Sequence, residues 1–194
     1  MKNILACAAL AVSFVAPAAV QAQALPAPVI AVVDLERVTG QCNACKVAAA
    51  TLRSQVNAVQ AREKTLGAPL QAEQKAIQAA IDALKGAAPD SALQARIRAF
   101  QTKQQSGADE LSRQQQQFKN NQAYVQKQIQ DKIGPVYTQT MQKRGANVLL
   151  EVSSTLAAAG SLDVTADVLA GLNAALPSIA TTAPATAAPS TQGR

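Results

Sequence analysis

The sequence contains no histidine and no tryptophan, and only 3% of its 194 residues are aromatic. Without an imidazole there is no Ser-His-Asp triad, no histidine acid–base catalysis and no histidine-containing metal site. No GxxxxGK[ST] or GxGxxG run is present to bind the phosphates of a nucleotide. We therefore expect no enzyme activity, no catalytic residue, no metal and no cofactor.

The shortage of aromatic side chains also argues against a large β-sandwich, whose core depends on bulky residues. The hydrophobic content of 48% comes largely from alanine, and glutamine is abundant. This composition is typical of long helices with a narrow apolar stripe.

The N-terminus has the pattern of a secretory signal peptide. Lys2 precedes an apolar run over residues 4–20, and small residues follow at 22–24. The run is shorter than the roughly 20 residues of a membrane span and contains Pro17. We predict a signal peptide over residues 1–24, cleaved after Ala22 or Ala24, and a soluble exported protein that in a bacterium is periplasmic.

Two short β-branched runs predict a small body. Residues 29–33 form the first strand, and Asp34 caps a short turn that stops at Thr39-Gly40. Residues 147–152 form the second strand, and a short helix follows over 165–173. The body has two halves, residues 25–50 and 145–176. Such short strands leave unpaired edges, so we expect neighbouring copies to complete the sheet.

Between these halves, residues 51–144 predict a helical hairpin. Apolar residues recur near the 3.5-residue period of a coiled coil, and a Gly/Pro-containing tip lies near residues 86–91. Pro135 predicts a kink in the returning helix. Polar or small residues interrupt the returning seam and predict a loosely held middle; they are Gln104, Gly107, Gln114 and Asn121. The predicted fold class is thus mainly α with a small β element, a long antiparallel coiled-coil hairpin projecting from an oligomerisation body.

Two further features leave several interpretations open. Cys42 and Cys45 form a C-x-x-C at the start of the long helix, which suits a disulfide in an oxidising compartment, a redox-active pair, or zinc shared between copies. Residues 114–117 are all glutamine, which we interpret as a solubilising helix face rather than a peptide-binding ladder. Residues 177–194 are rich in Pro, Ala, Thr and Ser and predict a disordered tail.

The strand at 29–34, the Gln/Lys-rich hairpin, the strand at 147–152 and the segment 162–169 together resemble the Skp/OmpH family of periplasmic chaperones for outer-membrane proteins. The resemblance implies a homotrimer with a β-body and three helical arms that enclose an unfolded client without nucleotide. The C-x-x-C pair and the tail lie outside the family pattern. The family's lipopolysaccharide-binding basic cluster has no residue-by-residue match here.

The function predicted from these features is that of an ATP-independent holdase, which binds unfolded outer-membrane proteins between its arms. The formal net charge is +6, and basic arms attract acidic clients or anionic lipid headgroups such as lipopolysaccharide. Nucleic acid is not expected as a partner, because the chain is exported and lacks stacking aromatics. The candidate cations are Lys75, Lys85, Arg96, Arg98, Lys103, Arg113 and Lys119, and the candidate apolar residues, which also fit a hairpin seam, are Leu66, Leu70, Ile77, Ile81, Ile97 and Phe100. The alternatives are a C-x-x-C thiol–disulfide protein and a passive coiled-coil envelope scaffold.

Overall fold

The computed structural model describes residues 25–184. The predicted signal peptide and the last ten residues of the predicted tail lie outside this range. The elements are β1 Ile30–Val33, α1 Leu35–Gln41, α2 Asn43–Ala83, α3 Ser91–Arg144, β2 Val148–Glu151 and α4 Thr165–Ala175, with single 3-10 turns at Val152–Ser154 and Gly160–Leu162. The predicted fold class, mainly helical with a small β element, is confirmed.

The two long helices form an antiparallel hairpin. α2 has 41 residues and α3 has 54, which correspond to about 60 and 80 Å at 1.5 Å per residue. Arg62 meets Glu110, and further along α2 Glu73 meets Arg96. Partner numbers fall on α3 as they rise on α2, which establishes the antiparallel direction.

The turn between the helices is built from local capping contacts. Lys85 and Gly86 have positive φ angles of 50° and 95°, a conformation that glycine adopts without steric cost. The Asp90 carboxylate then accepts a hydrogen bond of 2.7 Å from the Leu93 N–H, as an N-cap does. At the opposite end of α3, Gly145 adopts the left-handed conformation with φ 66°, a common way to end a helix.

α3 continues through the predicted kink site. Pro135 lies inside the helix, which has no break at this position, and its neighbour Val136 is 2% exposed. Val136 belongs to the same core cluster as Val168 and Leu172 of α4, so the last turns of α3 pack with the body. We call residues 51–128 of the hairpin the arm, and the remaining described elements the body.

The sheet is a parallel pair whose second side is partly covered. Ile30 pairs with Val148 and Val33 with Glu151. On the opposite side of β1, the Val164 N–H donates to the Val32 carbonyl at 2.9 Å, and the Asp34 N–H donates to Thr165 Oγ1 at 2.9 Å. β1 is thus the inner strand, and within residues 25–184 the outer edge of β2 carries no further strand.

α1 is longer than the predicted turn. Asp34 is its N-cap and accepts from the Arg37 N–H at 2.8 Å. The predicted stop at Thr39-Gly40 is wrong, because both residues are helical and α1 ends at Gln41. The Thr39 hydroxyl donates to the Leu35 carbonyl at 2.8 Å, so this residue bonds along the helix and does not end it.

The body core is formed where α4 crosses α1 and the end of α3. Val38, Val168 and Leu172 are fully buried in it. Gly171 allows the close approach of α4 to α3, because a Cβ at this position would lie 2.8 Å from Val136 Cγ1. The absence of a side chain at Gly171 is therefore needed for this contact between α4 and α3.

Residues 177–184 differ from the predicted disordered tail. They follow α4 as an irregular segment with bends at Pro177 and Thr182, in which Ile179 packs against the body core. Residues 180, 181 and 183 are hydrogen-bonded to the base of the arm. Sequence composition gave no sign of these contacts, because their partners are polar side chains more than 50 positions away.

Candidate functional site

The seven predicted cations are all exposed along the arm, but they are not equivalent. Arg96 forms a bidentate ion pair with Glu73, at 2.6 and 2.9 Å, across the two helices. Within the described part of the chain, the other six make no ion pair. Arg96 therefore holds the hairpin together, while the other six leave their charges facing solvent.

A second cross-link of the same kind was not predicted. Arg62 forms a bidentate pair with Glu110, at 2.7 and 2.9 Å. Gln114 also donates to Glu110, at 2.9 Å. Bidentate Arg–carboxylate pairs fix geometry better than single contacts do. The sequence does contain opposite charges at positions 62 and 110. That these two residues face each other can be recognised only when the register of the two helices is known.

The two ion pairs lower the pKa values of their glutamates, Glu73 and Glu110. The hydrogen bond from Arg96 is the main cause that lowers the pKa of Glu73, and the hydrogen bond from Arg62 lowers the pKa of Glu110 in the same way. Lys103 and Arg113 add smaller favourable charge effects to Glu73 and Glu110 respectively. Both carboxylates thus stay ionised to lower pH than usual, and the arm keeps its cross-links at neutral pH.

The six predicted apolar residues lie along the contact between the helices and remain partly accessible. Ile77 is 8% exposed and Ile81 is 38% exposed. The other four are half-buried: Leu66, Leu70, Ile97 and Phe100. A two-helix hairpin covers each seam residue from one side only, so the same stripe that joins the helices also offers apolar surface to another molecule.

Two of the residues that interrupt the apolar seam, Gly107 and Asn121, are buried between the helices. Gly107 is buried, and Leu66 Cδ1 lies 3.9 Å from the position of a Cβ on that glycine. Asn121 is 5% exposed, and its Nδ2 donates to Gln55 Oε1 at 2.9 Å. The middle of the arm is therefore joined by small-residue packing and by amide hydrogen bonds where we predicted a loose seam.

Two shallow grooves bring some of the candidate residues together. The first, of about 310 Å³, contains Leu66, Leu70 and Lys103 next to the Arg62–Glu110 pair. The second, of about 370 Å³, has Lys119 beside Phe118. Each groove combines apolar side chains with an unpaired cation. The other candidates are distributed along the arm and share no groove with these.

Cys42 and Cys45 are joined in a disulfide at the corner between α1 and α2, with Cα atoms 5.1 Å apart. Cys42 is fully buried and Cys45 is 7% exposed. Cys42 Sγ also accepts a hydrogen bond of 3.2 Å from the Cys45 N–H, as the N-cap of α2. A redox enzyme needs an accessible sulfur, so this geometry favours a structural role.

The segment after α4 lies on polar side chains of both long helices. Gln128 binds the main chain of Ala180, Gln55 binds the carbonyl of Thr181, and Asn121 binds the N–H of Ala183. The predicted glutamine run at 114–117 contributes only through Gln117, which donates to Asn121 at 2.8 Å. Sequence reasoning named Asn121 as a seam defect and did not single out Gln55 or Gln128.

Comparison with known proteins agrees with this architecture. A solved structure described as an OmpH-like outer membrane chaperone, from Caulobacter crescentus CB15, superposes with a TM-score of 0.66 at 20% sequence identity, covering 82% of this chain and 92% of its own. At that identity the likeness concerns the fold. A search of curated protein sequences gives no match. No helix within residues 25–184 has the length and apolarity to cross a membrane.

The sequence itself decides the family. The model of the family described as "Outer membrane protein (OmpH-like)" matches residues 29–172. That match begins just before β1, includes the whole hairpin and ends within α4, and it covers more than half of the 194 residues. The chain therefore belongs to the OmpH-like outer membrane protein family.

Proposed function

We propose that the protein is an ATP-independent periplasmic holdase that keeps unfolded outer-membrane proteins from aggregating. Its family and the description of its structural neighbour as an outer membrane chaperone support a chaperone role. The observation that carries the proposal is the stripe of half-buried apolar side chains along the arm, flanked by six cations that form no ion pair within the described residues.

The two kinds of side chain serve different steps. Unpaired cations attract an acidic unfolded chain over about 10 Å at 0.1 M ionic strength. Apolar side chains such as Ile81 and Phe100 then hold the client by burial, at roughly 25 cal/mol per Å² of apolar surface. Neither step requires nucleotide. The same cations supply contacts for anionic lipid headgroups, including lipopolysaccharide.

The proposed assembly is a homotrimer formed through the body. Among residues 25–184 nothing pairs with the outer edge of β2, and apolar side chains near the sheet are exposed: Ile30 by 39%, Leu150 by 38% and Val152 by 39%. An exposed strand edge with apolar neighbours is a surface that another copy covers. Three arms projecting from one body would surround a client that one arm only touches.

An aggregation assay tests the proposal directly. An unfolded β-barrel membrane protein is diluted from urea with and without this protein, in the presence and absence of ATP. We expect equal suppression of light scattering with and without ATP, and slower capture as salt is added. No suppression at a molar excess of trimer would favour the passive scaffold. Catalysed insulin reduction would favour the thiol–disulfide alternative, which the burial of Cys42 disfavours.

A further inference from the structure

The segment after α4 contacts the base of the arm through its main chain. Gln128 makes two hydrogen bonds to Ala180: its Nε2 donates to the carbonyl at 2.8 Å, and its Oε1 accepts from the N–H at 3.0 Å. A residue in a neighbouring antiparallel strand offers the same pair of groups. The side-chain amide of Gln128 therefore acts as a substitute for a strand residue.

Two further bonds extend this pattern across both helices. Gln55 Nε2 donates to the Thr181 carbonyl at 3.1 Å, and Asn121 Oδ1 accepts from the Ala183 N–H at 2.8 Å. Gln55 and Asn121 are also bonded to each other at 2.9 Å. We call Gln55, Asn121 and Gln128 the amide site. Because its members are oriented by bonds to one another and to the helices, the site is arranged before a ligand arrives.

The bound segment is neither helix nor strand, and it bends at Thr182. Thr181 and Ala183 are partly buried, while Ala180 and Thr182 are exposed. All four hydrogen bonds to the amide site involve main-chain N–H or carbonyl groups of the segment. Because only main-chain groups of the segment make these contacts, the contacts do not depend on one particular side-chain sequence.

We propose that the amide site binds the main chain of non-helical polypeptide, that residues 180–183 occupy it in cis, and that a segment of the unfolded client displaces them. This step rests on the proposed holdase function. An unfolded client offers free main-chain N–H and carbonyl groups, which are also the groups bound in strand-addition recognition. Because the cis segment is tethered, its effective concentration is high, so it excludes weak ligands and yields to clients that also bind the arm.

Loosening the segment without changing the site provides the first test. Ala180→Pro with Ala183→Pro removes two of the bonded N–H donors. Ser178→Pro with Thr182→Pro is the matched control, because neither of those N–H groups is hydrogen-bonded within residues 25–184. In the full chain, we expect the first pair to tighten the apparent affinity for a labelled unfolded β-barrel protein about tenfold, since the free site becomes more populated. An affinity equal to that of the control pair would overturn the proposal.

Removing the site in the loosened protein should reverse the gain. Adding Gln128→Ala to the Ala180→Pro, Ala183→Pro variant should return the affinity to the wild-type value or below. Gln130→Ala, on an exposed position of the same helix, should leave the gain unchanged. If the segment only stabilises the fold, the loosened variant loses affinity and Gln128→Ala adds to that loss, which contradicts competition.

A client-free measurement separates this inference from the holdase proposal. A labelled synthetic peptide of residues 177–184 should bind the loosened variant about tenfold more tightly than wild type, as measured by fluorescence anisotropy. The same peptide N-methylated at Ala180 and Ala183 should not bind. Equal binding of both peptides, or binding of neither, would refute the amide site. Peptide binding without any suppression of aggregation would refute the holdase function and leave the amide site standing.

Unmodified protein gives an independent check. Hydrogen exchange of the Ala180 and Ala183 amides should be slow in the free full-length chain and should accelerate when unfolded client is added. The amides inside α4, such as that of Val168, should stay protected and serve as the internal reference. Unchanged protection at residues 180 and 183 with client bound would show that the segment is not displaced.

Discussion

The body and the arm are built from the same chain but are stabilised differently. In the body, Val38, Val168 and Leu172 are fully buried, and Gly171 allows two helices into close contact. In the arm, the helices meet along a narrow stripe in which Ile77 is 8% exposed and Ile81 is 38% exposed, and polar cross-links such as Arg96–Glu73 fix the register. A buried core gives a stable platform, while a half-covered stripe leaves apolar surface available for binding.

Shortening the arm gives the largest expected effect and is the strongest test of this division. Residues 66–106 are deleted and Thr65 is joined to Gly107 through a short Gly/Ser turn, which keeps the Arg62–Glu110 pair at the new tip. We expect most of the suppression of aggregation to be lost, because the distal apolar stripe and four exposed unpaired cations are gone: Lys75, Lys85, Arg98 and Lys103. Sedimentation should still show the oligomer. If the oligomer with the shortened arm still protects clients at equal molar concentration, the binding surface lies on the body or the base of the arm.

Overpacking the body should affect stability and leave the arm intact. Gly171→Ala places a methyl group 2.8 Å from Val136 Cγ1, and Val136 is β-branched and buried, so it has little freedom to move. We expect a loss of about 1–3 kcal/mol of unfolding free energy, measured by urea denaturation at fixed protein concentration. Gly40→Ala is the control. Gly40 is helical with open space around it, so alanine should stabilise by about 0.5–1 kcal/mol.

Removing the disulfide should have a small effect and should be confined to the body. Cys42→Ser with Cys45→Ser opens a very short loop, so the entropic gain lost is small. A serine at position 42 can also cap α2 in place of the sulfur. We expect suppression of aggregation to be unchanged and the melting temperature to fall slightly. Lost holding activity in a variant that still assembles would restore a functional role for the cysteines.

The smallest expected effect is an acid sensitivity of the arm. The folded-state pKa of Glu73 is lowered, chiefly by its hydrogen bond from Arg96. Its stabilising contribution is therefore present above the ordinary Glu pKa of about 4.3 and is lost as the pH falls through the lower folded-state value. Glu73→Gln should make the helical melting transition depend less on pH in this acid range. Glu63→Gln should not, because Glu63 makes no ion pair within the described residues.

The sequence predicted those features that arise from local patterns. The strands, the capping by Asp34 and the long helical pattern are all readable from neighbouring residues. The contacts within the arm could not be predicted in this way, because the Arg62–Glu110 pair and the Asn121–Gln55 bond join residues 48 and 66 positions apart. Asn121 shows the difficulty: a polar residue in an apolar repeat indicates weak packing until its partner across the helices is known. For the same reason the sequence did not predict the contacts of residues 180–183, because they are made to distant side-chain amides and do not follow from the composition of the segment.

The parallel pairing of β1 with β2 has a consequence for how the chain folds. Val29 and Asn147, which are hydrogen-bonded at the start of the pair, are 118 residues apart in sequence. Closing a flexible loop of that length costs conformational entropy, and a four-residue strand pair offsets little of this cost. If the hairpin zips first, from the tip near Gly86 downward, each step closes only a short distance and the two strands arrive together. On this pathway the length of the arm is free to vary in evolution, provided that residues are added to α2 and α3 in equal numbers, so that the strands still meet in register.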